Sequence, residues 1–204
     1  MSWKYRAIGN SLGLSVGGRS IHDLHLPGPG GPRIARPLLP AGSRSTERLP
    51  WQSCRMPTLF EAAGGHEGLH RLAEAWHARV LADDVVAHAF SHGFHPQHTE
   101  RLTAYWAEAL GGPAEYSERY GDESSVVRMH SGNGDHQEMD RRAIACFEGA
   151  LQDVGLTADP RLTRALRDYF AWATSTTMAR YPSSADDVPD GLTIPRWTWD
   201  GPVE

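Results

Sequence analysis

Histidine is the residue that stands out chemically in this chain. Of its eleven histidines, nine lie between His66 and His136. A neutral imidazole is the commonest protein ligand for metals. A local excess of this kind points to metal or haem chemistry, against the plain alternative of solvated side chains. His88, His92, His95 and His98 follow one another at intervals of three and four residues. On an unbroken helix that spacing would suit a zinc site. Gly93 and Pro96 break the helix, however, and no acidic or cysteine ligand stands among them. Other signatures of catalysis are missing: there is no G-x-S-x-G, H-E-x-x-H, phosphate-binding glycine loop or C-x-x-C. Cys54 and Cys146 read as two free thiols in a reducing compartment. Cys146 lies on the apolar face of a helical segment and reads as core.

These histidines must be positioned by helices. GGHEGLHRLAEAWHARVLADD places Leu69, Leu72, Ala73, Trp76 and Val80 at helical spacing. Trp76 and His77 are neighbours, so only one can face the core squarely; the pattern leaves open which. DDVVAHAF reads as a short segment with Asp83 or Asp84 as its N-cap. HPQHTERLTAYWAEALGG predicts a helix that starts near Pro96 and stops at Gly111–Gly112. It carries His98, Leu102, Tyr105, Trp106 and Ala109 on its inner face. Residues 113–128 read as irregular. DHQEMDRRAIACFEGALQDVGL and DPRLTRALRDYFAWATSTTMARYP predict two further long helices. No segment shows strand alternation.

The chain therefore reads as an all-α domain over residues 56–183 with an extension at each end. Residues 1–55 hold eight Gly, six Pro and eight Lys+Arg against two acids, Asp23 and Glu47. Gly and Pro oppose both helix and sheet there. The segment is expected to be disordered and dispensable, with Met56 as the native start. A transit peptide is a competing reading, but amphipathic periodicity is missing. Residues 184–204 form a tail with Trp197 and Trp199 among prolines. Leaving two indoles in water forgoes about 2 kcal/mol or more, which favours docking of the tail. The net charge of -5 argues against a nucleic-acid partner. No run of about 18 apolar residues predicts a membrane span. A cytoplasmic location and a monomer or homodimer are the expectations.

A string of local features in fixed order adds a more specific signal. MPTLFEAAGG at 56–65 precedes the first long helix. Phe90 ends the short second segment. Tyr105–Trp106 is followed by GGP at 111–113, YSERYG at 116–121, VVRMH at 126–130 and CFEGAL at 146–151. Over residues 56–180 this order resembles a group II truncated globin, a two-over-two helical sandwich that binds haem b.

The resemblance implies His130 as the iron ligand. It implies Phe90 as an aromatic ring on the haem, with His98 and Leu102 on the distal helix beside the gas ligand. Tyr116 and Arg128 fall near the haem rim. Val126, Val127 and Met129, beside His130, can line the proximal face. Trp106 and Phe147 are candidates for either haem contact or core. Three positions depart from the group. His77 stands where a tyrosine usually faces the iron. Ala143 stands where a tryptophan is usual. The run after His130 is SGNGDH, where Phe and Ile are common. The distal pocket would then comprise His77, His98, Leu102 and Ala143. The implied function is reversible binding of oxygen or another diatomic gas (CO, NO). The alternative is a haem redox enzyme, peroxidase-like or nitric oxide dioxygenase-like, served by a reductase. A non-haem histidine metal site is the third reading.

Overall fold

A computed structural model describes residues 55–91 and 93–203. The expectations for residues 1–54, Cys54 among them, lie outside the described residues.

Helix α1 (Leu59–Ala62) is short and exists because its start is capped. The Thr58 hydroxyl accepts from the Glu61 amide at 3.1 Å, and the Glu61 carboxylate accepts from the Thr58 amide at 2.8 Å. This reciprocal box satisfies two otherwise orphaned donors. The chain then turns into α2 (Gly65–Ala82) through Gly64, whose φ of 91° suits glycine. Gly68 is required by close approach, since a Cβ there would lie 1.9 Å from the Ala63 carbonyl oxygen. Helix α2 buries Leu69, Leu72, Ala73, His77 and Val80. The inward face thus takes His77 fully, while Trp76 is half-buried along its side.

Asp83 caps the 3-10 turn Val86–Phe90, its carboxylate accepting from the Val85 and Val86 amides at 3.0 and 2.9 Å. Helix α3 spans His98–Ala109. Residues 113–128, read as irregular, instead hold α4 (Glu115–Arg119) and the start of α5 (Glu123–His130). Asp122 caps α5, accepting from the Ser125 amide at 2.8 Å. Helices α6 (Gln137–Asp153) and α7 (Pro160–Trp172) complete the set. Asp159 caps α7 and Pro160 occupies its first turn, where a missing N–H costs nothing. Past Trp172 the helix widens into a π-turn over Ala173–Met178.

The long helices pack as two pairs, α2 with α3 and α6 with α7, joined where α2 crosses α6. This is the two-over-two arrangement. Trp106 meets Trp76, Phe147 and Phe170 edge-on at 5.4 to 6.0 Å between ring centroids. Phe147 and Phe170 stack at 4.2 Å. Full burial of one such ring stabilises by about 1.5–3 kcal/mol, so this aromatic stack dominates the core.

The C-terminal segment adds no long helix but enters the same core. Val188, Ile194 and Trp197 are buried. Trp197 rests between Tyr169 and Trp172 at 5.9 and 5.3 Å. A two-residue hairpin pairs β1 (Trp197–Thr198) with β2 (Gly201–Pro202), a small element that alternation did not predict. Trp199 donates its indole N–H to the Pro57 carbonyl at 2.6 Å and lies under the Arg161 guanidinium. Among the described residues, no helix is long and apolar enough to cross a membrane.

Candidate functional site

Four rings from four consecutive pieces of chain converge between α2 and α3. His77 comes from α2, Phe90 from the end of the 3-10 turn, Phe94 from the loop, and His98 from the first position of α3. His77 lies 4.9 Å from His98, 5.5 Å from Phe90 and 4.4 Å from Phe94, centroid to centroid. Phe90 meets His98 edge-on at 5.5 Å. The Asp83 cap and the left-handed Gly93 set the path that brings Phe90 and Phe94 back onto α2.

Both imidazoles in this cluster carry an orphaned nitrogen. His77 Nε2 and His98 Nδ1 are buried without a hydrogen-bond partner. An unpaired buried polar atom costs about 1–3 kcal/mol, and among the described residues these two have no partner. Burial holds both rings neutral. The His77 pKa is lowered by desolvation. That of His98 is pushed down to about 4 by desolvation, then by the neighbouring charges of His77, His130, His95 and Arg101.

His130 closes α5, and its Nδ1 lies 2.8 Å from the Val126 carbonyl one turn back. A carbonyl only accepts, so Nδ1 bears the proton and Nε2 keeps its lone pair. That fixes the tautomer and orientation a metal-ligating imidazole needs. The ring is open to solvent, yet enough protein crowds it that desolvation lowers its pKa. His130 is also near enough to His98 for their charges to oppose. Neutral nitrogen donors on α5 and on α2 and α3, with aromatic rings beside them, form a donor set suited to a flat, apolar, iron-bearing macrocycle.

The remaining predicted residues divide. Leu102 is half-buried one turn after His98. Ala143 lies with Val80 and Val86 under Trp76 and Phe90, and its carbonyl accepts from the Trp76 indole at 3.3 Å. The side of α2 that carries Trp76 therefore covers the small residue on α6. Trp106 and Phe147 sit in the core stack, packed on Trp76 and Phe170 rather than on the histidine cluster. Tyr116 is buried edge-on to Tyr105 at 5.3 Å. Met129 is 47% exposed. Arg128 turns to the tail, donating to the Val188 carbonyl at 2.9 Å and pairing with Asp190. Phe94 escaped the sequence reading; its only signal was an aromatic residue in a Gly/Pro-interrupted loop.

The second histidine cluster does not assemble among the described residues. His88 and His95 are exposed, and the His95 ring accepts from the Gln97 amide at 3.0 Å. No group of three or more potential metal ligands occurs among the described residues. His92 lies outside them.

Two helix pairs, with His77 against His98 and His130 near enough to His98 for their charges to interact, fit a protein of the globin class. The bacterial-like globin family profile matches residues 58–173, more than half of the chain, and the chain belongs to that family. It is 32% identical over 103 residues to a group 1 truncated hemoglobin of Tetrahymena thermophila, covering 50% of this chain and 81% of that one. Its fold is similar to the group II truncated hemoglobin of Bacillus anthracis, with TM-score 0.55 at 20% identity, over 63% of this chain and 95% of that one. It is also similar to the hemoglobin of Chloroflexus aurantiacus, with TM-score 0.53 at 26% identity, over 61% and 99% of the two chains. The sequence relative is of group 1 and the Bacillus structure of group II, so the likeness spans both groups. The family implies haem as cofactor and a diatomic gas as ligand.

Proposed function

We propose that this chain holds haem b through His130 and receives a diatomic gas (oxygen, CO or NO) on the side of His77, His98 and Leu102. The observation that carries this reading is the His130 imidazole, tied through Nδ1 to the Val126 carbonyl, which leaves the lone pair on Nε2. Haem iron, when held, supplies an open coordination position for the gas. The chain's own residues do the rest. Val126, one turn before His130, fixes its ring. Phe90 and Phe94 keep water from the ligand space with their apolar faces. His98 and His77, both neutral, each offer a ring N–H to that space. A hydrogen bond there favours a ligand that carries partial negative charge over one that does not.

The test is reconstitution with haemin. Wild type should give a sharp Soret band that shifts with carbon monoxide. The His130→Ala variant should lose stable haem retention, or regain it with free imidazole. An alanine variant with the unchanged spectrum would falsify the assignment.

One observation favours a second reading, a haem redox enzyme of peroxidase-like or nitric oxide dioxygenase-like type served by a reductase. His98 is a neutral imidazole with an unpartnered nitrogen, which is the form that accepts and returns a proton. Steady-state turnover of a peroxide with a reducing dye, or of nitric oxide with oxygen and a reductant, separates enzyme from carrier.

A further inference from the structure

We propose that the cavity between α5 and the widened end of α7 is a second site, one that binds a small organic ammonium ion. The cavity has a volume of about 380 Å³, within the range of small-molecule pockets. It uses none of the histidines above and stands or falls independently of the haem reading. Glu123, the first residue of α5, lines it and is only 3% exposed. Its Oε2 accepts from the Tyr105 hydroxyl at 2.9 Å, while its Oε1 is buried with no partner. The Tyr169 hydroxyl, on α7, is likewise buried and unpartnered. A buried carboxyl without a cation or a second donor is costly.

The walls supply the rest of an ammonium site. Trp172 supplies an aromatic ring, whose face attracts cations, while the Tyr181 ring already carries Arg180 over it. Thr176 and Thr177 present hydroxyl oxygens that accept from the remaining N–H groups. Both threonines come from the π-turn, a distortion frequent at functional sites. Rotation about the terminal carboxyl torsion of Glu123, which is soft in glutamate, can turn Oε1 toward a ligand in the cavity. Arg180 also lines the cavity, over the Tyr181 ring at 5.6 Å, and is exposed, so water screens its charge. The acidic group of the lining is thus the buried one and the basic group the solvated one, which favours a cation over an anion.

The site is pH-dependent. Burial pushes Glu123 up to about 7; the Asp122 charge adds to this and the Tyr105 hydrogen bond opposes it. The other groups coupled to it are Tyr169 and Tyr116, themselves raised by burial. Arg180 and Tyr181 also line the cavity. A cation binds the ionised carboxylate, so affinity rises from pH 6 to pH 8.

Calorimetric titration of the full chain with n-butylammonium chloride tests this, with n-butanol as the neutral probe of the same shape. The expected result is millimolar binding of butylammonium at pH 8, weaker by roughly fivefold or more at pH 6. Glu123→Gln should weaken binding at pH 8 at least about tenfold and abolish its pH dependence. Thr177→Trp, which fills the cavity but leaves Glu123 in place, should lose binding while keeping the wild-type melt. The proposal is overturned by no binding at pH 8, by equal binding to wild type and Glu123→Gln, or by n-butanol binding as tightly as the amine.

Discussion

The two orphaned imidazole nitrogens make the sharpest prediction at the scale of single residues. His77 is 8% exposed and its ring lies against His98, so both can reach the ligand space. Each hydrogen bond is worth about 1 kcal/mol, or roughly five- to tenfold in a rate of escape. His98→Leu and His77→Leu should therefore each speed oxygen release from the haem-loaded protein by about that factor. Carbon monoxide release should stay nearly unchanged. Stopped-flow dissociation measures both, and unaltered oxygen release in both variants would remove the donor role. Glu123 gives a second prediction, in stability. Its pKa rises from 4.5 to about 7 on folding. Between those values the folded chain holds a proton that the unfolded chain has released. Stability from this group is thus full below about pH 4.5 and is lost as pH rises to about 7. The loss is on the order of 2–3 kcal/mol. Glu123→Gln should melt higher than wild type at pH 8, with the difference shrinking at pH 5. Thermal melts of the two proteins at both pH values check it. A gain of equal size at both would contradict the titration.

Among the elements, the long helices were legible and the short ones were not. Helices α2, α3, α6 and α7 announce themselves by apolar spacing and by breakers at their ends, because each buries a continuous face. Helix α5 gives no such signal. Its inward face includes Glu123 and Ser124 as well as Val126 and Val127, so two of four buried positions read as polar. Helix α4 is one turn held by its surroundings: Glu108, buried on α3, accepts from the Ser117 amide at 2.9 Å. Periodicity cannot report a helix stabilised from outside. The candidate site was legible in the same uneven way. The ordered resemblance named His130 and His98 as candidates, and they remain proposals. The choice of His77 over Trp76 needed the helix's true rotation, about one residue's turn away from the face that the apolar pattern marks. Arg128 pointed elsewhere because its partners, Val188 and Asp190, are some 60 residues distant in sequence, a separation no local pattern conveys. The tail is an element whose worth can be measured. Trp197 is buried on Tyr169 and Trp172. Trp197→Ala should cost about 3–5 kcal/mol, the usual range for emptying an aromatic site. Denaturant titration measures it, and a loss under about 1 kcal/mol would mean the segment contributes little.

For the molecule as a whole, the buried clusters among the described residues run from Leu59 on α1 to Trp197 in the tail. Residues 1–55 are rich in Gly and Pro and carry the opposite charge to the rest, so we propose that a chain comprising residues 56–204 binds haem and melts within about 2 °C of the full chain. Differential scanning calorimetry on both proteins tests this. A large drop in the shorter chain would show that residues 1–55 contribute to the fold.

The bond from the Trp199 indole to the Pro57 carbonyl has a topological meaning. It places the beginning and the end of the folded unit side by side, so the backbone from 57 to 199 is close to a ring. In a ring, the order in which helices are connected is separable from the way they pack. A short linker could splice residue 203 to residue 56, and new termini could open in the exposed stretch around Gly134, between α5 and α6. Helix α5 would then end the chain instead of lying in its middle. The same packed helices would be reached by a different covalent path, and the first helix synthesised would be α6.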